Sequence, residues 1–362
     1  MLEFIDEDNL FFILSLSIGF LYGIIAQRKQ FCFSGSIKDI ILFKHTRRTA
    51  SLVVAITTAL LSTQIIGLIY DIDFNSTKYF INVNYLFIII GGLMFGYGMM
   101  ISDGCSSRHL IKFGQGDMDS FWILTSLGIF SYLTYKVISL YSNEIYNNFL
   151  IQSTMATEVF TLSIYLVLPI LFYMLYKSLI QCMNFFQVLD GFAIGLMIAL
   201  GWFFTSVIAE DLFQSVSPQS LSFVYPLGRI TEFIFSGFDR QTLIFSVLIV
   251  FGIIGGAFIS SKMNKKYSKK QMCDNSNSNP PNLFQKIIGG AFMGIGGILA
   301  IGCTVGQGLS GFSTLSFASA LAIVSIYTSA YITAKYMHKK NALIACFVFD
   351  FEPRKNCKIK QN

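Results

Sequence analysis

The chain has 362 residues, 54% of them hydrophobic and only 13% charged, with 37 phenylalanines and a net charge of +6. Soluble domains carry roughly 25% charged residues, so this composition excludes an ordinary water-soluble domain. The positive balance sits in short basic clusters between apolar runs rather than on one folded basic face, which argues against nucleic-acid binding.

In chain order, nine apolar stretches approach the ~20 residues that a helix needs to cross a bilayer. They lie near 9–26, 49–70, 84–101, 120–141, 159–180, 186–204, 241–261, 286–302 and 315–337. The start, MLEFIDEDNLFF, has an acidic flank and no small-residue cleavage site, so no cleaved signal peptide is expected. Residues 27–48 carry Arg28, Lys29, Lys38, Lys44, Arg47 and Arg48. A second cluster, over 262–286, holds Lys262, Lys265, Lys266, Lys269, Lys270 and Lys286, and the tail adds Lys339, Lys340, Arg354, Lys355, Lys358 and Lys360. With nine spans all three clusters fall on one side, which the positive-inside rule assigns to the cytoplasm. The acidic N-terminus (Glu3, Asp6, Glu7, Asp8) and the loops 71–83 and 142–158 then lie outside. This predicts two membrane halves, 1–150 and 151–341, with a flexible cytoplasmic loop at 262–285 and a cytoplasmic tail at 342–362.

A fifteen-residue pattern recurs in the two halves. Residues 91–105 read GGLMFGYGMMISDGC and 289–303 read GGAFMGIGGILAIGC, so Gly91, Gly92, Gly96, Gly98, Gly104 and Cys105 coincide with Gly289, Gly290, Gly294, Gly296, Gly302 and Cys303. Two weaker copies follow the same frame. Gly23 precedes Cys32 by nine residues, as Gly96 precedes Cys105; Gly195 precedes Gly201 by six, as Gly98 precedes Gly104, and Trp202 takes the thiol's place. Two of these units run inward and two outward under the nine-span topology. The predicted fold is therefore an all-α polytopic membrane protein of about nine spanning helices with inverted internal repeats and four pseudo-equivalent glycine-rich units.

Each unit continues into a polar or mixed segment, SGSIKDIIL, SSRHLIKF, FFTSVIAEDLF or TVGQGLSGF, too short to span and expected as short or re-entrant helices. Glycines four or five apart admit close helix packing, while Gly104 and Gly302 stand where one helix must end and the next begin. A short helix starting just after the cysteine would aim its free N–H groups at the thiol, favouring a bound anion. Ser34, Ser36, Ser106, Ser107, Arg108, Thr304 and Gln307 flank the three thiols. Arg108 is either an anion-attracting charge or an ordinary positive-inside anchor, and Glu158 is a second costly charge in apolar surroundings. Tyr225, Pro226 and Arg229 fall in an outer loop. No CxxC or HxxxH pattern occurs and His45, His109 and His338 are scattered, so no metal or other cofactor is expected. Cys182, Cys273, Cys346 and Cys357 share no context and read as incidental thiols.

The stretches FGYGMMISDGCSSRHLIKFGQGD and GGAFMGIGGILAIGCTVGQGLSGFSTLSFAS resemble the signature segments of the YeeE/YedE family of bacterial membrane proteins. GIIAQRKQFCFSGSIKD is similar to its N-terminal cysteine motif and SPQSLSFVYPLGR to a further family segment. The resemblance implies nine spanning helices with short helices turned inward, uptake of thiosulfate across the inner membrane (or, in some members, selenium metabolism), and three motif cysteines, here Cys32, Cys105 and Cys303, along the path. It also implies small cytoplasmic sulfur carriers of the TusA type as partners; the stretch after 340 is too short for a fused carrier. Together these predict non-covalent, non-enzymatic passage of an anion from Cys303 toward Cys105 and Cys32, with Gly104, Gly302, Ser106, Arg108, Thr304 and Gln307 beside them. The alternatives are another sulfur or selenium substrate, a membrane sulfurtransferase passing a persulfide to a carrier, and a structural, partner-recruiting protein.

Overall fold

A computed structural model describes residues 7–29, 31–43, 47–74, 77–80, 83–149, 164–180, 185–209, 218–237, 245–265, 267 and 281–343. Glu158, most of the loops 142–158 and 262–285, the tail from 344, and Cys182, Cys273, Cys346 and Cys357 lie outside these residues. Among the described residues there is no strand. The helices are α1 (Glu7–Lys29), α2 (Phe33–Phe43), α3 (Arg47–Tyr70), α4 (Tyr85–Ile101), α5 (Ser106–Gly114), α6 (Met118–Phe149), α7 (Ile164–Ile180), α8 (Phe185–Phe203), α9 (Val224–Phe235), α10 (Phe245–Met263), α11 (Leu283–Leu299) and α12 (Phe317–Lys339).

Seven apolar helical segments among the described residues are long enough to cross a bilayer. Two of the nine expected spans fall on α7 and α11, each of 17 residues, which is short of the ~20 that a perpendicular crossing takes; α4 is equally short and counts among the seven only together with α5. The outer surface is apolar: Leu68, Leu140, Phe235 and Phe284 are 71% to 85% exposed. In water such a belt would be a liability; in acyl chains it is the stable surface. The protein is a multi-pass membrane protein.

Without a hydrophobic drive between helices in lipid, close backbone contact must hold the bundle, and the glycines supply it reciprocally. α1 packs along α10 and α8 along α3; α4 packs along α12, α11 along α6, and α4 and α11 along each other. A Cβ at Gly98 would lie 2.4 Å from the Gly289 carbonyl oxygen, and one at Gly296 would lie 2.5 Å from that of Gly91. Gly98→Ala is therefore expected to destabilise by about 1–3 kcal/mol, as overpacking does. Gly255→Ala in α10, where the nearest atom is 4.0 Å away, should leave thermal melting in detergent unchanged or slightly raised. Equal melting of the two variants would refute close packing at the α4–α11 crossing.

The break after α4 and α11 is not where glycine alone would place it. The left-handed residues are Asp103 (φ 66°) and Ile301 (φ 59°), one position before Gly104 and Gly302, which have ordinary φ. Both ends close as Schellman caps: the Gly104 N–H donates to Met99 O at 3.0 Å and the Gly302 N–H to Gly297 O at 2.8 Å. Gly104 is required for space instead, since a Cβ there would lie 2.9 Å from Arg108 Cδ. The third unit has no such break: α8 runs through Gly201 and Trp202 into a π turn at Phe204–Ile208. Tyr225, Pro226 and Arg229 lie not in a loop but in the first turns of α9, where Pro226 loses no intrahelical donor bond.

Candidate functional site

The three cysteines stand at the starts of short helices, all buried. α2 and α5 have 11 and 9 residues, at 1.5 Å per residue far less than a bilayer. After Cys303 the chain turns through a π-helical segment, Gly306–Gly311. The Gly35 N–H donates to Cys32 Sγ and the Gly306 N–H to Cys303 Sγ, each at 3.3 Å. A thiol thus takes the place of the hydroxyl or carboxylate that usually caps a helix. At Cys105 the pattern differs: no backbone N–H reaches its sulfur, and the Ser107 hydroxyl lies 3.2 Å away instead.

Tertiary packing then gathers these starts. Cys32 and Cys105 contact one another, and Ser34 Oγ lies 3.1 Å from Cys32 Sγ. The Thr304 hydroxyl reaches toward Cys105 without closing a hydrogen bond and has no other partner. Tyr22, fully buried in α1, sits within electrostatic reach of all three thiols and meets Ser107. A partly open cavity, about 350 Å³ when the open solvent at its mouth is included, runs past Phe31, Cys105, Ser107, Thr304 and Gly308.

A charged cluster underlies the thiols. Lys38 of α2 and Lys112 of α5 both bind the Asp103 carboxylate, Lys112 at 2.8 Å. Arg108, adjacent to Cys32 and to Asp103, lines a second cavity with Gln27 and Gln115. Three buried cations beside two carboxylates, Asp103 and, within electrostatic reach of Lys112, Asp117, leave this region with a net positive charge, which suits an anion in low dielectric.

Of the residues singled out in the sequence, Cys32, Cys105, Arg108 and Thr304 are brought together. Gly104 and Gly302 shape the turns that present the thiols. Ser106 is buried but lines neither cavity. Gln307 has both amide ends engaged within the protein, donating to Ala300 O and accepting from Ser319, which makes it a clamp on the end of α11. Trp202, where the fourth thiol would stand, is fully buried and donates to Ser313 Oγ at 3.2 Å. Sequence reasoning missed Tyr22, Phe31, Lys78, Lys112 and Asp103. A signal did exist for Tyr22: its counterparts in the repeat frame, Phe95 and Met293, are equally buried core residues.

On the Cys303 side, Tyr79 donates to the Gly306 carbonyl at 2.9 Å. Lys78 stands 5.4 Å from the Tyr79 ring centroid and within electrostatic reach of Cys303. Ser222 sits within reach of the same turn, with its hydroxyl unpartnered and buried.

The sequence matches the family described as sulphur transport over residues 28–332. It is 25% identical over 312 residues to a thiosulfate transporter TsuA of Escherichia coli (strain K12), covering 81% of this chain and 85% of that protein. It is also 25% identical over 327 residues to a thiosulfate transporter TsuA of Spirochaeta thermophila, covering 85% and 94% respectively.

Proposed function

The chain belongs to the sulphur-transport (YeeE/YedE) family, and on that footing we propose that it carries thiosulfate, or a closely related sulfur oxyanion, through its thiol-lined centre. The observation that carries this reading is the gathering of three buried thiols at short-helix starts beside a net positive cluster. Thiosulfate is a dianion with a polarizable terminal sulfur. Weak S–H donors suit that sulfur, and backbone N–H groups with nearby ammonium and guanidinium charges suit its oxygens. No single contact is strong, so the ion can leave each site for the next.

In this proposal the nine apolar segments all cross, α7 and α11 with flanking residues completing their length, and the reciprocal packing of α1 with α10, α3 with α8, α4 with α12 and α6 with α11 reflects inverted repeats over 1–150 and 151–341. The basic clusters then place the C-terminus in the cytoplasm and the N-terminus outside the inner membrane. Cys303 with Ser222 and Lys78 takes the outer approach; Cys105, Cys32, Thr304 and Arg108 take the inner one. A TusA-like carrier would be the cytoplasmic partner of this uptake. Uptake of labelled thiosulfate into proteoliposomes, with sulfite, sulfate and selenium oxyanions as competitors, tests the assignment; absence of uptake refutes it.

Lys78 adds a pH dependence. It lies outside the membrane-spanning segments, and burial pulls its ammonium from the ordinary lysine value down to about 8. The charged form is therefore present below about 8 and lost above it, so thiosulfate uptake is expected to fall as external pH rises through that value. Lys78→Gln should lower uptake and remove that step; an unchanged profile in the variant would show that Lys78 does not serve the anion.

The contact between Cys32 and Cys105 also suits a second reading, in which one thiolate attacks the outer sulfur of thiosulfate, the S–S bond of the ion breaks with sulfite leaving, and the outer sulfur of the persulfide formed then passes to the other thiol. Intact-mass measurement after thiosulfate exposure separates the two, because only the covalent route leaves an added sulfur atom on the protein.

A further inference from the structure

The thiol cavity and the cavity beyond it share one lining residue, Phe31, which immediately precedes Cys32. The second cavity is partly open, spanning about 260 Å³ when the open solvent at its mouth is included, and is walled by Gln27, Arg108, Lys112 and Gln115. Gln27 and Gln115 are only 1% and 2% exposed, yet the Gln27 amide nitrogen and the Gln115 amide oxygen have no partner. Buried polar atoms are nearly always paired, so two such atoms in one electropositive cavity ask for an occupant. The other end of the Gln27 amide is already engaged, accepting from Ser260 Oγ at 2.7 Å. That contact turns the unpartnered N–H₂ away from Ser260.

We propose that this cavity is a second anion site, reached past Phe31, in which the Gln27 amide N–H₂ and the Arg108 and Lys112 charges hold the oxygens of the anion after it leaves the thiols. It rests on the transport reading given above and adds to it a polar station distinct from the cysteines. Turned about its terminal bond, the Gln115 amide adds a further donor; amide orientation follows whatever partner is present. Gln27 lies near the end of α1, at the same end of the bundle as Arg28, Lys29 and Lys262, so the site faces the basic side. Phe31 keeps the two cavities from merging into an open channel for water and small ions.

Two substitutions at one position separate a binding role from a structural one. Gln27→Glu keeps an acceptor for Ser260 but places negative charge in the anion's path; Gln27→Leu removes the Ser260 contact but adds no charge. Labelled thiosulfate uptake into proteoliposomes should be lower in Gln27→Glu than in Gln27→Leu by about tenfold or more, as like-charge juxtaposition demands. The reverse order, or equal rates, overturns the site, because a purely structural Gln27 would suffer more from leucine. If Gln27→Glu does not reach the membrane, Gln115→Glu against Gln115→Leu is read in the same way, with equal rates again overturning it. Wild-type protein that takes up no thiosulfate refutes the transport reading itself, a result distinct from wild-type uptake with the wrong order of variants.

Discussion

Cys105→Ala is expected to reduce thiosulfate uptake to background while the protein still inserts and purifies as wild type does. Cys105 lies at the meeting point of the site: it touches Cys32, stands 3.2 Å from Ser107 Oγ, is approached by Thr304 and lines the central cavity. Alanine keeps the small apolar volume that a buried thiol contributes to packing, so the fold has little to lose. In the proposed route the anion, by contrast, loses both a polarizable contact and a weak donor. Cys303→Ala should act alike at the other approach, where it removes the sulfur that accepts the Gly306 N–H. Normal uptake by Cys105→Ala in proteoliposomes would end the proposal of a thiol-lined route.

Asp103→Asn is expected to have the largest effect on stability, about 3–5 kcal/mol, the cost of leaving a buried ion without its partner. Asp103 is the carboxylate on which Lys38 and Lys112 converge, and all three side chains are no more than 7% exposed. The choice of asparagine isolates the charge, because asparagine tolerates the left-handed backbone found at this position (φ 66°) as well as aspartate does. Two ammonium groups would then face Arg108 with only the more distant Asp117, within reach of Lys112, as counter-charge. Thermal unfolding in detergent should show a lowered midpoint, with Lys38→Met, which leaves the Lys112 pair intact, falling less. An unshifted midpoint for Asp103→Asn would mean that the cluster is solvated and contributes little.

The sequence by itself determined what depends on local pattern. Long apolar runs with few charges leave lipid as the only compatible surroundings, since uncompensated backbone and charge are too costly there. The glycine frame marked the helices that approach most closely, and the polar segments after Cys32, Cys105 and Cys303 were legible as short helix starts because capping is settled within a few residues. The family signature rests on those same segments. Where local pattern was ambiguous it misled: Gly104 and Gly302 look like the hinge, yet the left-handed residues are Asp103 and Ile301, and the two glycines are there to admit the side chains of the following turn. The third unit has the glycine spacing but no break, because its helix runs on through Trp202 into a π turn.

Only the tertiary structure decided which groups meet. Lys38 reaches Asp103 across 65 residues of sequence, and Tyr79 reaches Gly306 across 227. Tyr22 comes to lie among three thiols, and Phe31 comes to divide two cavities. None of these follows from hydropathy, because hydropathy reports whether a segment prefers lipid, whereas the site is made by which helix faces adjoin. The composition required a membrane bundle; the packing of its helices brought the thiols and the buried charge together.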